Sequence, residues 1–527
     1  MRPPLDVLVV GAGPAGLATA IRLKQLADES GRTVSLAVID KAFQPGYHNL
    51  SGAVLDPRPF DVLTPGWRDH RALARRVADV AQDDMYFLLG ARAIKIPARL
   101  APSAMSHEGD AIVSLSRLVA YLAAVAEEMG IEVYNGFSAR HLIIVEGVVA
   151  GVRLGEVGLD ADGGHMANYR PAEEIPARVT VLADGTRGVL SQQLREHYGA
   201  GRNPQVYSLG VKGVMQFAEG HPFGEGRVAH FLGYPNPADV FGGGFVYSMD
   251  ANTLAVGLIL GLDWRYGDLD PQREFERFRA HPFIAEQLRG GVTVATGART
   301  IPEGGYYALG AASVPGALVV GDGAGFVDMR KIKGIHNAVW SGMAAAETIA
   351  AGLAEAGSGV VALQGYQERL EERGVLPGMR RARNYRQVFK WGLYAGTPLS
   401  QVSHLIPGRV GMHDDADGTR AKARLDRPDP GGMDSATFVS LTGAMHREDE
   451  LAHMRILDPA KCLSCAEDYA AACARFCPGE VYRWDGEQIV LSPSNCLHCM
   501  TCAVKCPLGN IEWLPPEGGE GPRFSQM

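Results

Sequence analysis

All eight cysteines of this 527-residue chain lie near its C-terminal end, between Cys462 and Cys506. They form two runs, and each run ends in Cys-Pro. The first run has the spacing Cys-x2-Cys-x7-Cys-x3-Cys, and the second has the spacing Cys-x2-Cys-x2-Cys-x3-Cys. Thiolates spaced in this way bind the iron of a cubane cluster, whereas a structural zinc site uses two separated pairs. The tail is therefore predicted to fold around iron–sulfur clusters.

The second run matches the bacterial ferredoxin motif, and the first is the same motif with a longer gap before its third cysteine. In two-cluster ferredoxins the fourth cysteine of each run binds the other cluster. This rule predicts two [4Fe–4S] clusters with crossed ligand sets. One set is Cys462, Cys465, Cys473 and Cys506, and the other is Cys477, Cys496, Cys499 and Cys502. We interpret His498 as an exposed histidine beside a cluster rather than as a ligand.

A dinucleotide-binding fingerprint opens the chain. A valine-rich run (5–10) precedes Gly-Ala-Gly-Pro-Ala-Gly (11–16), a helical pattern extends to about residue 27, and a second apolar run ends at Asp40. Gly11 permits the tight turn, Gly13 lets the backbone approach a pyrophosphate, and Gly16 lets the helix pack on the strand. The helix N-terminus offers amide donors to phosphates, and Asp40 is suited to accept from ribose hydroxyls.

Two later segments favour FAD over NAD. One apolar run ends at Asp184-Gly185, and another ends at Gly321-Asp322. Flavoproteins of the glutathione-reductase type carry such a late Gly-Asp beside the ribitol, and the positive end of the next helix points at the flavin. Here that helix is predicted to begin near Gly334. The predicted FAD-binding set also includes Ala15, Lys41, Ser51 and Arg117.

Composition and charge limit the function classes. A net charge of −8 argues against nucleic-acid binding as the main task. The sequence shows neither a secretory leader nor an apolar run long enough to span a bilayer. We therefore expect a reducing compartment, in which clustered cysteines bind metal rather than form disulfides.

The middle of the chain carries strand and interfacial patterns. Residues 242–264 are predicted to form two strands of a substrate domain, in which the triple glycine 242–244 either admits a ligand or marks a β-bulge. Between 375 and 410, basic and aromatic residues are interleaved on a predicted short helix. This mixture suits the headgroup region of a bilayer, although a basic surface helix would have a similar sequence. Residues 411–436 are polar, contain Pro and Gly, and resemble a linker.

Nearly the whole chain resembles the electron transfer flavoprotein–ubiquinone oxidoreductase family. The resemblance is carried by blocks such as GYHNLSG (46–52), FGGGFVYS (241–248), KIKGIHNAVWSGMAAAE (331–347) and NCLHCMTC (495–502). Members are monotopic membrane flavoproteins with FAD, a cubane cluster and bound quinone. They oxidise reduced electron transfer flavoprotein and reduce quinone.

The resemblance implies specific roles for several residues. Phe241, Gly242 and Gly243 would line the quinone pocket, and 375–410 would bind the membrane. The family's four cluster ligands would be Cys477, Cys496, Cys499 and Cys502.

Two features differ from the mitochondrial members. The other four cysteines are additional, and they resemble a FixX-type ferredoxin-like subunit fused to a FixC-type flavoprotein. Asp322 also stands where the family usually has Gly-Cys.

The predicted fold is α/β (α+β overall). A glutathione-reductase-type FAD-binding Rossmann domain covers 1–375 and is interleaved with a β-rich quinone or substrate domain at about 190–310. A membrane-surface segment and linker follow at 376–436, and a ferredoxin-like iron–sulfur domain occupies 437–527.

The main functional hypothesis is a peripheral, monotopic enzyme at the cytoplasmic face of a bacterial inner membrane. It would pass electrons from reduced electron transfer flavoprotein through one or both clusters and FAD to ubiquinone or menaquinone. One alternative is the quinone-reducing, ferredoxin-linked subunit of an electron-bifurcating Fix-type complex. Another is a flavin-dependent reductase of isoprenoid lipids. No catalytic acid or base is assigned from the sequence, although Tyr47 and His48 are candidates for proton transfer.

Overall fold

The computed structural model describes residues 3–73, 77–199, 203–357, 359–412, 414–420 and 422–527. The strands, numbered β1 to β24 in chain order, are Leu5–Val10, Leu36–Asp40, Val54–Leu55, Ala78–Asp79, Gln82–Leu89, Arg92–Ile96, Ala111–Ile112, Glu132–Asn135, Ala139–Val145, Val148–Leu154, Val157–Leu159, His165–Arg170, Glu174–Leu182, Tyr207–Gln216, Arg227–Gly233, Gly242–Asp250, Thr253–Gly261, Val292–Pro302, Ser313–Val314, Ala317–Val319, Met454–Ile456, Tyr482–Trp484, Ile489–Leu491 and Ile511–Trp513. The α-helices, numbered α1 to α16, are Pro14–Glu29, Arg58–Leu63, Leu115–Glu128, Val189–His197, Pro271–Ala280, Pro282–Gln287, Gly321–Ala324, Ile335–Ala356, Tyr366–Glu372, Val375–Arg381, Gly392–Val402, Asp415–Arg420, Ser435–Ser440, Pro459–Tyr469, Cys473–Phe476 and Thr501–Lys505.

The first sheet is the dinucleotide-binding sheet that the N-terminal fingerprint predicts. Its strand order is β19-β20-β13-β1-β2-β8, with β10 attached to β13 and β9 attached to β10. β1 lies between β13 and β2 and runs parallel to both, so its valines are buried on both faces. α1 packs against α8 beside this sheet, where small residues allow close contact: a methyl group at Gly342 would lie 2.3 Å from the Ala15 carbonyl oxygen.

The second sheet has seven strands in the order β18-β14-β17-β16-β15-β5-β6. β16 and β17 are the two strands predicted within residues 242–264, and they form a hairpin that turns at residues 250–252. β5 and β6 lie far upstream in the sequence, at residues 82–96. They belong to this sheet because β5 pairs in parallel with β15. The sequence prediction assigned these two strands to the dinucleotide domain. α5 covers the outer face of the sheet with the buried rings of Phe275 and Phe278.

The segment 375–410 is not one short helix, and this prediction was wrong. α10 is followed by a 3-10 turn at Gln387–Trp391, by α11, and by a second 3-10 turn at Ser403–Leu405. Gly392 has a φ of +82°, which separates the first turn from α11. Part of the segment faces inward, since Tyr385 and Phe389 are buried. The outward residues include Lys390, Trp391, Tyr394, Val402 and Leu405.

Arg386 is the largest buried cation of this segment, with 1% of its side chain exposed. It donates to Glu303 Oε2 at 2.8 Å and to Asp263 Oδ1 at 2.7 Å. Its guanidinium also lies 4.2 Å from the centroid of the Phe241 ring. The segment is thereby fixed to the end of the seven-stranded sheet.

Residues 411–436, interpreted as a linker, are held by contacts with both neighbouring parts of the chain; His413 and Ala421 lie outside the described residues. Asp415 is buried and accepts from the amide of Tyr207 at 2.8 Å. Arg420 donates to the Pro507 carbonyl at 2.6 Å, and Arg427 donates to Glu274 at 2.7 Å.

The cysteine-containing domain is small and has two two-stranded sheets, β21-β24 and β22-β23, with α14, α15 and α16 between them. Its last residues return to the dinucleotide domain. The Met527 carbonyl accepts from the Ser116 amide at 2.9 Å and from the Ser114 hydroxyl at 3.0 Å. Within the part of the chain that the structure describes, every helix is too short or too polar to traverse a lipid bilayer.

Replacing Arg386 with leucine is predicted to destabilise the protein, because Glu303, itself 1% exposed, would be left as an unpaired buried carboxylate. The expected loss is about 3–5 kcal/mol, seen as a lower midpoint in thermal or urea unfolding. The double variant Arg386→Leu/Glu303→Leu is the control, since it removes both charges and should recover part of the loss. A single variant as stable as the parent would contradict the prediction.

Candidate functional site

The Gly-rich turn and the start of α1 form one wall of a cavity. Gly11 has a φ of +109°, and a methyl group there would lie 2.3 Å from the Ala183 carbonyl oxygen. A methyl group at Gly16 would lie 1.9 Å from the Gly11 carbonyl oxygen, whereas one at Gly13 would meet only Asn49 Nδ2, at 3.6 Å. Gly13 caps α1 without a side-chain hydrogen bond, so the first amides of the helix are available to an anion.

The dinucleotide region consists of two adjoining cavities of about 230 and 120 Å³, called here the inner and the outer cavity. Gly13, Gly185 and Arg299 line both. Of the predicted FAD-binding residues other than Gly13 and Gly185, the inner cavity is lined by Ala15, Ser51, Gly321, Asp322 and Gly334, and the outer cavity by Gly11, Asp40, Lys41 and Asp184. Gly16 and Arg117 line neither cavity: Gly16 lies where helix and strand touch, and Arg117 lies in the first turn of α3.

The carboxylates of the outer cavity already have partners. Asp40 accepts from the amides of Ala12 and Ala42, each at 2.7 Å, which ties the second strand to the Gly-rich turn. Asp184 accepts from the amide and the hydroxyl of Ser191. Asp184 therefore orders the start of α4, and this use of its side chain was not predicted.

The late Gly-Asp has the arrangement that a flavin would need. Asp322 accepts from the Thr186 hydroxyl at 3.1 Å, and burial raises the pKa of its carboxyl. Gly334 caps α8, which begins at Ile335 as predicted. A methyl group at Gly334 would lie 3.2 Å from Asp322 Oδ1. The helix N-terminus and the carboxylate thus lie on the same wall of the inner cavity.

The eight thiols surround two small cavities of the cysteine-containing domain. Cys477, Cys496, Cys499 and Cys502 line the first, called here the inner quartet. Cys462, Cys465, Cys473 and Cys506 line the second, called the outer quartet. These are the two sets that the crossed-ligand rule predicts, so the fold brings each fourth cysteine to the opposite run. All eight thiols are free of disulfides.

The two quartets differ in exposure and in the groups that contact their sulfur atoms. The inner four cysteines are buried, and burial raises the pKa of Cys496 and Cys502 to about 12. In the outer quartet only Cys473 is buried. Asn510 connects two outer ligands, since its amide nitrogens lie 3.3 Å from Cys506 Sγ and 3.4 Å from Cys462 Sγ. Such donors are suited to stabilise thiolates.

The inner quartet shares walls with the outer cavity. Met500 and Trp513 line both spaces. Arg299 Nη1 donates to the His498 carbonyl at 2.6 Å, and the Thr300 amide donates to the Cys499 carbonyl at 3.2 Å. Lys41 lies over the Trp513 ring, with 4.7 Å between its Nζ and the centroid. A redox group in the quartet and a dinucleotide in the cavity would therefore be neighbours.

His498 is not exposed, and this prediction was wrong. It is fully buried and lies within 5.5 Å, ring centroid to centroid, of His48, His446, His453 and Trp513. Its local sequence, between two cysteines, gave no sign of the ring cluster because the other members come from distant segments. His446 forms a 3.0 Å hydrogen bond with the Cys496 carbonyl.

The predicted quinone residues lie at the start of β16. Gly242 and Gly243 have φ values of +134° and +157°, and methyl groups there would lie 2.0 Å from the Ile259 and 2.4 Å from the Phe231 carbonyl oxygens. Pairing with neighbouring strands is thus sufficient to require glycine at both positions. Phe241 packs against Phe389 of the interfacial segment, with 4.8 Å between ring centroids.

Four further residues belong to the site but were missed. Arg299, Met500 and Trp513 join the two cofactor spaces, and no motif marks them. Lys212 is a buried lysine of the inner cavity that donates to the Ser51 carbonyl at 2.9 Å. Burial lowers its pKa to about 7. A lysine in an otherwise apolar strand, YSLGVKGVM, was the one signal available.

Family models and full-length relatives match this chain. The model described as "Electron transfer flavoprotein-ubiquinone oxidoreductase, 4Fe-4S" matches residues 432–525, and "ETF-QO, ubiquinone-binding" matches residues 207–301. The electron transfer flavoprotein-ubiquinone oxidoreductase of Pseudomonas aeruginosa is 35% identical over 99% of this chain and 98% of its own length. The mitochondrial protein of the same name from Homo sapiens is 35% identical over 99% of this chain and 89% of its own.

Solved structures share the fold at low identity. A geranylgeranyl bacteriochlorophyll reductase-like protein from Thermoplasma acidophilum has a TM-score of 0.56 at 19% identity and covers 76% of this chain and 89% of its own. A flavoprotein/dehydrogenase from Cytophaga hutchinsonii has a TM-score of 0.51 at 18% identity, with 75% and 87% covered. These likenesses confirm the predicted fold class over about three quarters of the chain.

Gly13→Ala is predicted to fold normally and to lose bound dinucleotide, because the methyl group has room in the protein but blocks the approach of a pyrophosphate. Gly16→Ala is the matched comparison. Its methyl group has no room, so it should destabilise the fold by roughly 1–3 kcal/mol or more. Flavin content after purification and the unfolding midpoint separate the two effects. A Gly13→Ala protein with full flavin content would refute this reading of the turn.

Proposed function

The chain belongs to the electron transfer flavoprotein–ubiquinone oxidoreductase family, and we propose that it passes electrons from reduced electron transfer flavoprotein to a membrane quinone. The observation that carries the proposal is the contact between the inner quartet and the strand that lines the inner cavity. Arg299 and Thr300 line that cavity, and they donate hydrogen bonds to the carbonyls of His498 and Cys499. Single electrons tunnel efficiently only between neighbouring centres. This junction supports transfer between an iron–sulfur cluster and FAD within one polypeptide.

The residues that line the inner and outer cavities fit FAD in their donor chemistry. The free amides at the start of α1 would hold the pyrophosphate. The N-terminus of α8, capped by Gly334, would stabilise negative charge on the reduced ring. Bound there, FAD would supply the exchange between single-electron and paired-electron transfer. Thr186 would keep the Asp322 carboxylate oriented through its 3.1 Å hydrogen bond.

We propose that both quartets hold [4Fe–4S] clusters. The inner quartet carries the ligands that the resemblance to the family implies, and it lies beside the dinucleotide site. The outer quartet adds Cys462, Cys465, Cys473 and Cys506 around a separate cavity. Its partial exposure suits a centre that exchanges electrons with another protein. The cluster of the outer quartet would also lie farther from FAD than the cluster of the inner quartet.

The route for quinone is proposed to run from the interfacial segment to the inner cavity. Val327 and Ile301 line the inner cavity and also pack in the apolar cluster around Tyr385 and Phe389. Phe241 packs in the same cluster. An isoprenoid quinone, ubiquinone or menaquinone, could therefore remain in apolar surroundings between the surface and the cavity.

The exposed apolar residues of the interfacial segment support attachment to a membrane surface. Trp391 is 52% exposed, Tyr394 70% and Leu405 69%. Lys390 lies next to them with its Nζ 4.9 Å from the Trp391 centroid. Aromatic and basic side chains together favour the headgroup boundary. With a bacterial relative matched over 98% of its own length, the proposed place is the cytoplasmic face of a bacterial inner membrane.

The decisive assay mixes the holoprotein with reduced electron transfer flavoprotein and a soluble quinone and follows quinol formation. The parent protein is expected to reduce quinone, and Cys499→Ala is expected to lose this activity because the cluster beside FAD cannot assemble. Cys506→Ala should keep quinone reduction above the Cys499→Ala level, since the inner quartet remains intact. Absence of quinone reduction in the parent protein would refute the proposed function.

Iron analysis separates the two clusters independently of activity. Two [4Fe–4S] clusters correspond to about eight iron atoms and coupled spins after reduction, and the Cys506→Ala protein should retain about four. About four iron atoms in the parent would refute the second cluster. Ferredoxin reduction by the reduced protein only in the presence of quinone would instead favour the bifurcating alternative.

Trp391→Ser, Tyr394→Ser and Leu405→Ser are each predicted to weaken binding to phospholipid vesicles. Burial of such a side chain contributes about 1.5–3 kcal/mol, so each change should lower partitioning roughly tenfold or more. Val360→Ser is the control, because Val360 is 73% exposed in the loop after α8, outside the interfacial segment. Equal effects at all four positions would contradict a specific membrane surface.

A further inference from the structure

Polar side chains cross the face of the seven-stranded sheet that borders the inner cavity. Val228 of β15 pairs with Asp83 of β5 and with Tyr247 of β16. Two residues further along β15, His230 pairs with Phe245. Since paired residues share a face and alternate residues return to it, Asp83, His230 and Tyr247 lie on one side of the sheet.

His107, from the loop before β7, completes a chain of contacts. Its Nδ1 lies 3.0 Å from Asp83 Oδ2, and its backbone amide donates to the same oxygen at 3.0 Å. The His107 ring is stacked on the His230 ring, with 4.9 Å between centroids. Ligand atoms of Asp83, His107 and His230 all lie within 4.8 Å of one another, a distance that one water molecule bridges.

The inner end of this chain is Tyr247. Its hydroxyl lies 2.5 Å from His230 Nε2. Tyr247, His230 and His107 all line the inner cavity, and the Tyr247 ring lies close to Gly52, where a methyl group would approach it to 3.1 Å. The outer end is Asp83, whose side chain is 26% exposed to solvent.

We propose that Asp83, His107, His230 and Tyr247 conduct protons between solvent and the inner cavity. The inference rests on the proposed function for its physiological purpose. A quinone that accepts two electrons must also accept two protons, which convert its two carbonyl oxygens to hydroxyls. The electrons come from the reduced cofactors, and the protons come from water through this chain. Asp83 exchanges protons with solvent, the two imidazoles carry them inward, and Tyr247 delivers them at the cavity wall.

The protonation states of the inner members suit this role. Burial lowers the pKa of His230 to about 3, with His107 acting in the same direction, so its imidazole is neutral at pH 7. Burial raises the pKa of Tyr247, so its hydroxyl stays protonated. A neutral imidazole accepts on one nitrogen and donates on the other. The hydroxyl likewise accepts and donates, so a proton can move along the chain without leaving a buried charge.

Three other titratable groups near the proposed proton path have their own partners. Lys333 pairs with Asp110, and its charge also lowers the pKa of His230. Lys212 shares the sheet face but donates to the Ser51 carbonyl. Asp84, next in sequence to Asp83, points to the opposite face, where Arg227 and Lys95 contact it.

The test uses an oxidant that takes electrons without protons. Reduced holoprotein is mixed with ferricyanide in a weakly buffered solution that contains a pH indicator, and flavin oxidation and proton release are followed together. In the parent protein the two should keep pace. In Tyr247→Phe and His230→Gln, the rate of proton release should fall by about 100-fold, the usual contribution of a positioned proton-transfer group. The rate of flavin oxidation should fall less than the rate of proton release.

Matched variants exclude structural causes. Tyr86→Phe removes a tyrosine hydroxyl from the opposite face of β5, where Tyr86 accepts from Arg227 at 2.8 Å; it should release protons like the parent. Asp83→Asn should also slow proton release, and Asp83→Glu should restore it. The fold should tolerate both substitutions, because Asp83 lies at an exposed position. Proton release that keeps pace with oxidation in both Tyr247→Phe and Asp83→Asn would overturn the proposal.

The quinone assay then distinguishes the two claims. A parent protein that fails to reduce quinone refutes the proposed function, while the ferricyanide experiment still decides on the proton path. If the parent protein reduces quinone, Tyr247→Phe should lower the rate of quinol formation much more than the rate of ferricyanide reduction. Quinol formation by this variant should also show a solvent deuterium isotope effect. An equal loss with both acceptors would show that Tyr247 affects electron transfer instead, and would overturn the proposal.

Discussion

Two hydrogen bonds from β18 to the second cysteine run determine whether this protein can work as a single unit. The Thr300 amide binds the Cys499 carbonyl and Arg299 binds the His498 carbonyl. They hold the inner quartet against the strand that also borders both dinucleotide cavities. Electron transfer slows steeply with separation, so a tail that merely followed the flavoprotein in sequence would not be sufficient. Because of these contacts, the redox centres are held at a fixed distance from each other and are not merely joined by one polypeptide.

Buried cations reinforce this arrangement at each domain boundary. Arg386 joins the interfacial segment to the seven-stranded sheet, and Lys505 joins the cysteine-containing domain to the same sheet by donating to the carbonyls of Leu262 and Trp264 at 2.6 and 2.9 Å. A buried charge contributes little net stability, because desolvation offsets most of the attraction. It does penalise any packing in which its partners are absent. These residues therefore act mainly by selecting one relative placement of the domains.

Local sequence predicted the parts of the structure that depend on local geometry. The glycine spacing placed β1, α1 and β2, and the cysteine spacing placed the two quartets, because a turn or a ligand loop specifies its own residues. Pairings between distant segments were not predictable. β5 joins the second sheet across more than a hundred residues, and the three histidines around His498 lie far from it in sequence. Arg386 and Phe389 were expected at a membrane surface but are buried, since interleaved basic and aromatic residues fit an internal ion pair and ring cluster equally well.

Different electrostatic needs explain why the proposed electron and proton routes approach the dinucleotide region from different sides. In the proposed electron route, electrons arrive from the tail through a wall built from Met500, Trp513 and the cationic Lys41 and Arg299, which favour negative charge. The proposed proton route crosses the seven-stranded sheet through groups that are neutral when buried. A proton path through the cationic wall would require extra positive charge beside Lys41 and Arg299, which like-charge repulsion in a buried site opposes. Separation of the two routes allows each charge to enter through surroundings that favour it.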